Sequence, residues 1–139
     1  MRFIDSNIFL HAFLKPRRKL TQQESMIKEQ SKTILQRVEQ GEAVALSVVH
    51  LSEVVNILES GQGLRVAQGF IAWVISSENI VVYPISVEDY EVALPLSEEY
   101  DVSPNDALAV NKMRSNNLEE IYSHDKHFDK VENIKKISS

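Results

Sequence analysis

Four acidic side chains stand where a carboxylate has chemistry to do: Asp5 in "FIDSNIFLH", Glu53 in "SVVHLSEVVNILESG", Asp106 in "SPNDALAV" and Asp125 in "EIYSHDKHF". An acid placed directly after an apolar strand either caps the helix that follows or holds something positive. Asp5 comes straight after Phe3 and Ile4, and Asp125 comes after "EIYS". Each acid alone has a plain reading. Asp5 caps a helix, Asp125 caps the turn containing Phe128, and Glu53 is solvated or salt-bridged. Ser103, Pro104 and Asp106 match N-cap, N1 and N3, so Asp106 reads as a capping-box residue. The set reads differently. Three of the four fall at predicted strand ends or helix starts, and the fourth lies on an apolar helix. Capping and cation binding are compatible, because a second carboxylate oxygen stays free.

The elements that must position these acids follow from patterning. "RFI" predicts a first strand, and "DSNIFLHAFL" a helix with Asp5 or Ser6 as N-cap. "KPRRKL" is a loop. "TQQE" at 21 to 24 is a capping box opening a helix that runs to Gly41. "AVAL" at 43 to 46 is a short buried strand, and Ser47 starts a helix ending near "SGQG" at 60 to 63. A further helix covers 64 to 76. "NIVVYPI" at 79 to 85 is a third strand ended by Pro84. Ser86 and Asp89 form a second capping box, with a helix to Tyr100. "VSPNDALAVNKMRSNN" carries another helix, "EEIYSHD" a fourth strand, "HFDKV" a helical turn and "IKKIS" a final strand. Short apolar strands alternating with helices predict an α/β parallel sheet covered on both faces. In such a sheet the C-terminal strand ends share one edge. Asp5 and Asp125 can therefore meet there, although 120 positions separate them in sequence.

Glu53 is placed by its helix. Leu51, Val54, Val55 and Leu58 form one apolar stripe, and at about 100° per residue Glu53 lies off it. Val49 and Ile57 flank Glu53 on the helix surface, so the helix is apolar on more than one side. Glu53 is expected to be part-buried and to need a partner.

Composition bounds the answer. The 139 residues predict one domain, 1–139, with enough chain for its own core. The formal net charge of −5 argues against a broad basic surface for nonspecific nucleic-acid binding. It does not exclude a nuclease, whose clustered acids are negative until a metal arrives. The basic spots "KPRRK" and Lys112 with Arg114 read as solvated surface. No cysteine is present, which excludes disulfides and fits a reducing, cytoplasmic setting. No signal peptide is expected, since Asp5 interrupts the first apolar stretch, and no apolar run approaches a membrane span.

Taken in order, "FIDSNIFL", "LSEVVNIL", "NDALAV" and "YSHDKHFDKV" resemble the PIN-domain family of nucleases, and within it the small VapC-type toxins of toxin–antitoxin pairs. Order and spacing agree over nearly the whole chain. "KPRRKLTQQE" is longer than a minimal toxin-type domain carries. The resemblance implies a PIN-like three-layer fold, a parallel sheet of order 3-2-1-4-5 flanked by helices. It implies that Asp5, Glu53, Asp106 and Asp125 cluster to bind Mg²⁺ or Mn²⁺ and hydrolyse RNA. Asn7 and Ser123 match polar positions that orient the acids or an attacking water, and Asp129 matches a less constant acid. A homodimer and a cognate antitoxin partner are implied as well. The chemistry agrees with the resemblance: hard oxygen donors select Mg²⁺ or Mn²⁺, and a cation must bridge acids that would otherwise repel a phosphodiester.

The remaining residues are given structural readings. His124 and His127 flank the site in sequence and are candidates to touch substrate, with solvent exposure the favoured reading for both, and His50 is expected to serve the structure rather than pair with Glu53. Phe9, Phe13, Phe70 and Trp73 are spaced like core or dimer contacts. A nicotinamide site would need a Gly-rich turn where "DSN" stands. A haloacid-dehalogenase phosphatase would need an Asp at Asn7, and a receiver domain an acidic pair after strand one. Within the family, the alternatives to a toxin are a housekeeping RNA-processing nuclease and a non-catalytic scaffold that binds RNA or protein.

Overall fold

The computed structural model describes residues 1–139. In chain order the elements are β1 (Arg2–Ile4), α1 (Ser6–Phe13), α2 (Gln22–Glu39), β2 (Val44–Ser47), α3 (Val48–Gln62), α4 (Leu64–Ser76), β3 (Ile80–Tyr83), α5 (Val87–Tyr100), α6 (Pro104–Ser115), β4 (Glu120–Tyr122), a 3₁₀ turn (Lys126–Lys130) and β5 (Lys135–Ile137). The five strands form one parallel sheet in the order β3-β2-β1-β4-β5, the expected arrangement.

β1 is the middle one of the five strands, paired with β2 on one edge and β4 on the other. Phe3 and Ile4 are fully buried, with Phe3 opposite Ala45 of β2 and Ile121 of β4. The pairing continues past the strand through a hydrogen bond from Asp5 N–H to the Tyr122 carbonyl at 3.0 Å. That bond fixes where Asp5 leaves the sheet. Helices cover both faces, and α1, α2, α3 and α4 contribute Phe9, Ile34, Leu58 and Val74 to the main core. Phe9, Phe13, Phe70 and Trp73 pack edge to face within the chain, as in the Phe9–Phe70 pair at 5.3 Å between ring centres. They are core contacts between α1 and α4.

The caps are largely those the sequence predicts. Thr21 with Glu24 and Ser86 with Asp89 make complete reciprocal capping boxes. Several boundaries differ by local chemistry. α2 stops at Glu39 rather than Gly41, because Gly41 adopts φ 113°, a conformation that suits glycine and breaks the helix. β2 runs one residue further, so Ser47 is both the last strand residue and the N-cap of α3. β3 is shorter than 79–85. The Asn79 side chain turns back to donate to the Val38 and Glu42 carbonyls, tying the strand start to the end of α2. β4 also shortens, to Glu120–Tyr122, because Asp125 opens the 3₁₀ turn. No helix is long and apolar enough to cross a membrane.

Candidate active site

The C-terminal edge of the central strands gathers the acids. Asp5 occupies the N-cap position of α1, but its side chain makes no capping bond. The cap reading of that carboxylate is corrected for a physical reason: Ser123, just past neighbouring β4, donates its hydroxyl to Asp5 Oδ2 at 2.7 Å. Asp5 is only 7% exposed. Burial pushes its carboxyl up to about 7, opposed by the Ser123 bond and reinforced by the charges of Asp106 and Asp125.

Ser123 is buried and its oxygen also accepts from the Asp125 N–H at 2.9 Å. One hydroxyl thus ties Asp5 to the start of the 3₁₀ turn. Asp125 caps that turn, as its position predicts, by accepting from the His127 N–H at 2.8 Å. Only one Asp125 oxygen is used for this bond.

Asp106 stands at N3 of α6, where its N–H donates to Ser103 Oγ at 3.0 Å. The reciprocal bond of a capping box is not formed, so the box reading is half right and the carboxylate is left for other work. Burial raises the Asp106 carboxyl above the ordinary range and the Asp125 charge adds to it, against the Ser103 bond and His127. Glu53, on α3, is half-buried as expected. Its Oε1 is fully buried without any hydrogen-bond partner. Burial, then the Asp106 charge, raises its carboxyl too.

A buried link holds α6 against α3. His50 donates from Nε2 to the Asn105 carbonyl at 2.9 Å, which leaves Nδ1 to accept from the Ser47 hydroxyl. Its ring meets Phe3 edge to face at 5.5 Å. His50 therefore does not pair with Glu53; it sets the first turn of α6, and with it Asp106, against the strand ends.

The other sequence-selected residues are placed as follows. Asn7 is exposed in the first turn of α1. Asp129 is exposed and ion-paired with Lys136 at 3.1 Å, outside the group of converging ligand atoms. His124 is not solvent-exposed as expected. It is half-buried, with Nε2 3.2 Å from Ser31 Oγ and its ring edge-on to His11. His127 is 58% exposed by side chain, as predicted, yet Nδ1 lies 2.9 Å from Asp125 Oδ1 and 3.8 Å from Asp106 Oδ2. Sequence reasoning did not join it to the acids. The signal was the two-residue spacing from Asp125, which turns position 127 back over the capping carboxylate.

The residues fit a divalent cation. No lysine or arginine pairs with Asp5, Glu53, Asp106 or Asp125. An orphaned buried oxygen on Glu53 and raised carboxyls on three acids describe crowded negative groups with no lysine or arginine to offset them and only His127 beside two of them. Ligand atoms of Asp106, Asp125 and His127 lie within 4.8 Å of one another. Hard oxygens in such a setting suit Mg²⁺ or Mn²⁺.

The family model described as PIN domain matches residues 2–134. No curated protein matches the chain significantly. Among solved structures, the chain is similar to Mycobacterium tuberculosis VapC20, described as a sarcin-ricin loop cleaving toxin, with TM-score 0.72, 20% identity and 93% of each chain covered. It is also similar to a chain of a toxin–antitoxin complex from Klebsiella pneumoniae, with TM-score 0.67, 17% identity, and 97% of this chain and 96% of that one covered. A third similarity is to a chain of VapBC2 from Rickettsia felis bound to a promoter DNA fragment, with TM-score 0.64, 14% identity, and 98% and 96% covered.

Proposed function

The chain belongs to the PIN-domain family, and from that premise we propose that it is a Mg²⁺- or Mn²⁺-dependent ribonuclease, the toxin of a toxin–antitoxin pair. Residues 1–139 act as one PIN-like domain in this reading. The observation that carries it is the acid group: Asp106 and Asp125 converge, Asp5 and Glu53 feel their charges, Glu53 has a buried orphan oxygen, and no lysine or arginine is paired with any of the four. Such a group repels a phosphodiester until a cation lies between them. When bound, the cation polarises the phosphoryl oxygen and lowers the cost of activating water.

Asp5 is the central ligand in this reading, with Glu53 and Asp106 on either side of it. Asp125 is a ligand or orients the attacking water with the oxygen left free by capping. Ser123 orients Asp5 and Asp125 through its two bonds. Asn7, exposed beside Asp5, contacts substrate or water, and Asp129 takes a supporting part from the far side of the 3₁₀ turn.

RNA is the substrate. The antitoxin is the partner expected to cover the acids, inserting an Arg or Lys among the carboxylates. The two complexes named above support a partner of that kind. A homodimer is proposed on the apolar helices α3 and α4, which expose Ile57, Leu64, Val66 and Ile75. A cytoplasmic location is proposed from the lack of cysteine.

The test is cleavage of mixed transfer and messenger RNA by purified protein with Mg²⁺, Mn²⁺ or chelator, beside Asp5→Asn. Cleavage that requires both metal and Asp5 supports the nuclease. Folded protein that neither cuts RNA nor binds either metal is a scaffold.

A further inference from the structure

The acid group contains one nitrogen. Of the four histidines, His50 uses both ring nitrogens in the buried link, and His124 turns to Ser31 and His11. His127 alone presents a ring nitrogen to the carboxylates, with Nδ1 2.9 Å from Asp125 Oδ1 and 3.8 Å from Asp106 Oδ2. Its place is fixed from behind, because its own N–H is held by Asp125 Oδ1 at 2.8 Å. The ring itself is more than half exposed and free to adjust.

These separations match those of ligands around one ion. Neighbouring ligands of an octahedral ion at about 2.1 Å stand about 3.0 Å apart, and opposite ones about 4.2 Å. The Asp106, Asp125 and His127 atoms all lie within 4.8 Å of one another, slightly wider than that span, and a small movement of the exposed ring brings them round one ion. A second feature points to a cation at the same site: the buried, partnerless Glu53 Oε1.

We propose that His127 supplies a nitrogen ligand to the cation held by Asp106 and Asp125, and that this donor sets a preference for Mn²⁺ over Mg²⁺. The inference rests on the metal-dependent reading above and adds the choice of ion. Mg²⁺ is served by oxygen donors, whereas imidazole is a better donor to the transition ions, whose affinities rise along the series from Mn²⁺ onward. An all-carboxylate group would treat the two ions more nearly alike. A nitrogen among them does not.

The test is titration calorimetry of the full chain with Mn²⁺ and with Mg²⁺, for wild type, His127→Ala and His127→Asp, joined to pulsed electron paramagnetic resonance of bound Mn²⁺. Folding is not at risk, since the ring is exposed. His127→Ala is expected to weaken Mn²⁺ by about tenfold or more and Mg²⁺ by under about threefold. His127→Asp is expected to retain Mg²⁺ binding while losing the Mn²⁺ preference. Wild-type Mn²⁺ is expected to show nitrogen coupling that vanishes in both variants. An unchanged Mn²⁺ to Mg²⁺ ratio with no nitrogen coupling in wild type overturns the proposal and leaves the nuclease standing. Tighter binding of both ions by His127→Ala overturns it too, because the ring would then be occupying the cation's place. Wild type that binds neither ion overturns the metal-dependent reading itself.

Discussion

Ser123 Oγ donates to Asp5 Oδ2 at 2.7 Å, joining the residue after β4 to the residue after β1. The same oxygen accepts from the Asp125 N–H, so one buried hydroxyl holds two acids in register. Ser123→Ala leaves a buried carboxylate oxygen and an N–H without this partner. The expected loss is roughly 1–3 kcal/mol of stability, read by urea unfolding. Divalent affinity should fall about 10–100-fold by calorimetry, because Asp5 is no longer oriented.

The raised carboxyl of Asp5 predicts a pH signature in metal-free protein. The folded group titrates near 7, the unfolded one near its ordinary 3.8. Between those values the folded state holds a proton that the unfolded state has released. Stability therefore falls as pH rises through the window, and the loss is complete above pH 7. That difference corresponds to an upper bound of order 4 kcal/mol. Asp5→Asn should be more stable than wild type at about pH 8 in chelator, and its advantage should vanish toward pH 4. Mn²⁺ should stabilise wild type at high pH and not the variant. Denaturant melts across pH read all three.

Glu53 and Asp106 should behave as a coupled pair. The Asp106 charge helps raise the Glu53 carboxyl. Glu53→Gln and Asp106→Asn each relieve that repulsion, so the double variant should gain less than the sum. A double-mutant cycle in chelator is expected to give a coupling of about 0.5–2 kcal/mol. Strict additivity would mean the two carboxylates do not share a site.

His50 gives the opposite pH dependence. Burial lowers its pKa below 6.5 against the support of the Asn105 carbonyl. The unfolded state then takes up the proton first, and stability is lost as pH falls below about 6.5. His50→Phe should cost roughly 2–4 kcal/mol near neutrality by stranding the Asn105 carbonyl and the Ser47 hydroxyl. It should also flatten this acid limb. Loss of RNA cleavage with divalent binding weakened only in part would mark His50 as a positioning residue for Asp106.

Local signals carried much of the fold. Apolar runs marked the first three strands, mixed segments marked β4 and β5, and reciprocal boxes at Thr21 and Ser86 marked two helix starts. The strand order came with the family resemblance rather than from the runs. For the site, strand ends marked Asp5 and Asp125, a helix start marked Asp106, and the apolar flanks of Glu53 signalled its burial. What stayed hidden depends on side chains from distant elements. Asp106 looked like half of a complete box, and only the structure shows that its carboxylate returns no bond to the Ser103 backbone N–H. His124 finds Ser31 on α2, and Asp129 finds Lys136 on β5; neither meeting has a local signature. His127 turns over Asp125 because the cap bends the backbone there.

The central position of β1 has a consequence for how the protein is born. Translation delivers Asp5 early and β2 follows with residues 44–47, but the second neighbour of β1 arrives only with residues 120–122. At about 5–20 residues per second, that is a delay of several seconds or more. During it the nascent chain carries Asp5 and Glu53 without the Ser123 hydroxyl that fixes one of them and without Asp125. The acid group closes only when β4 docks, so a chain still attached to the ribosome is assembled last where it is chemically most consequential.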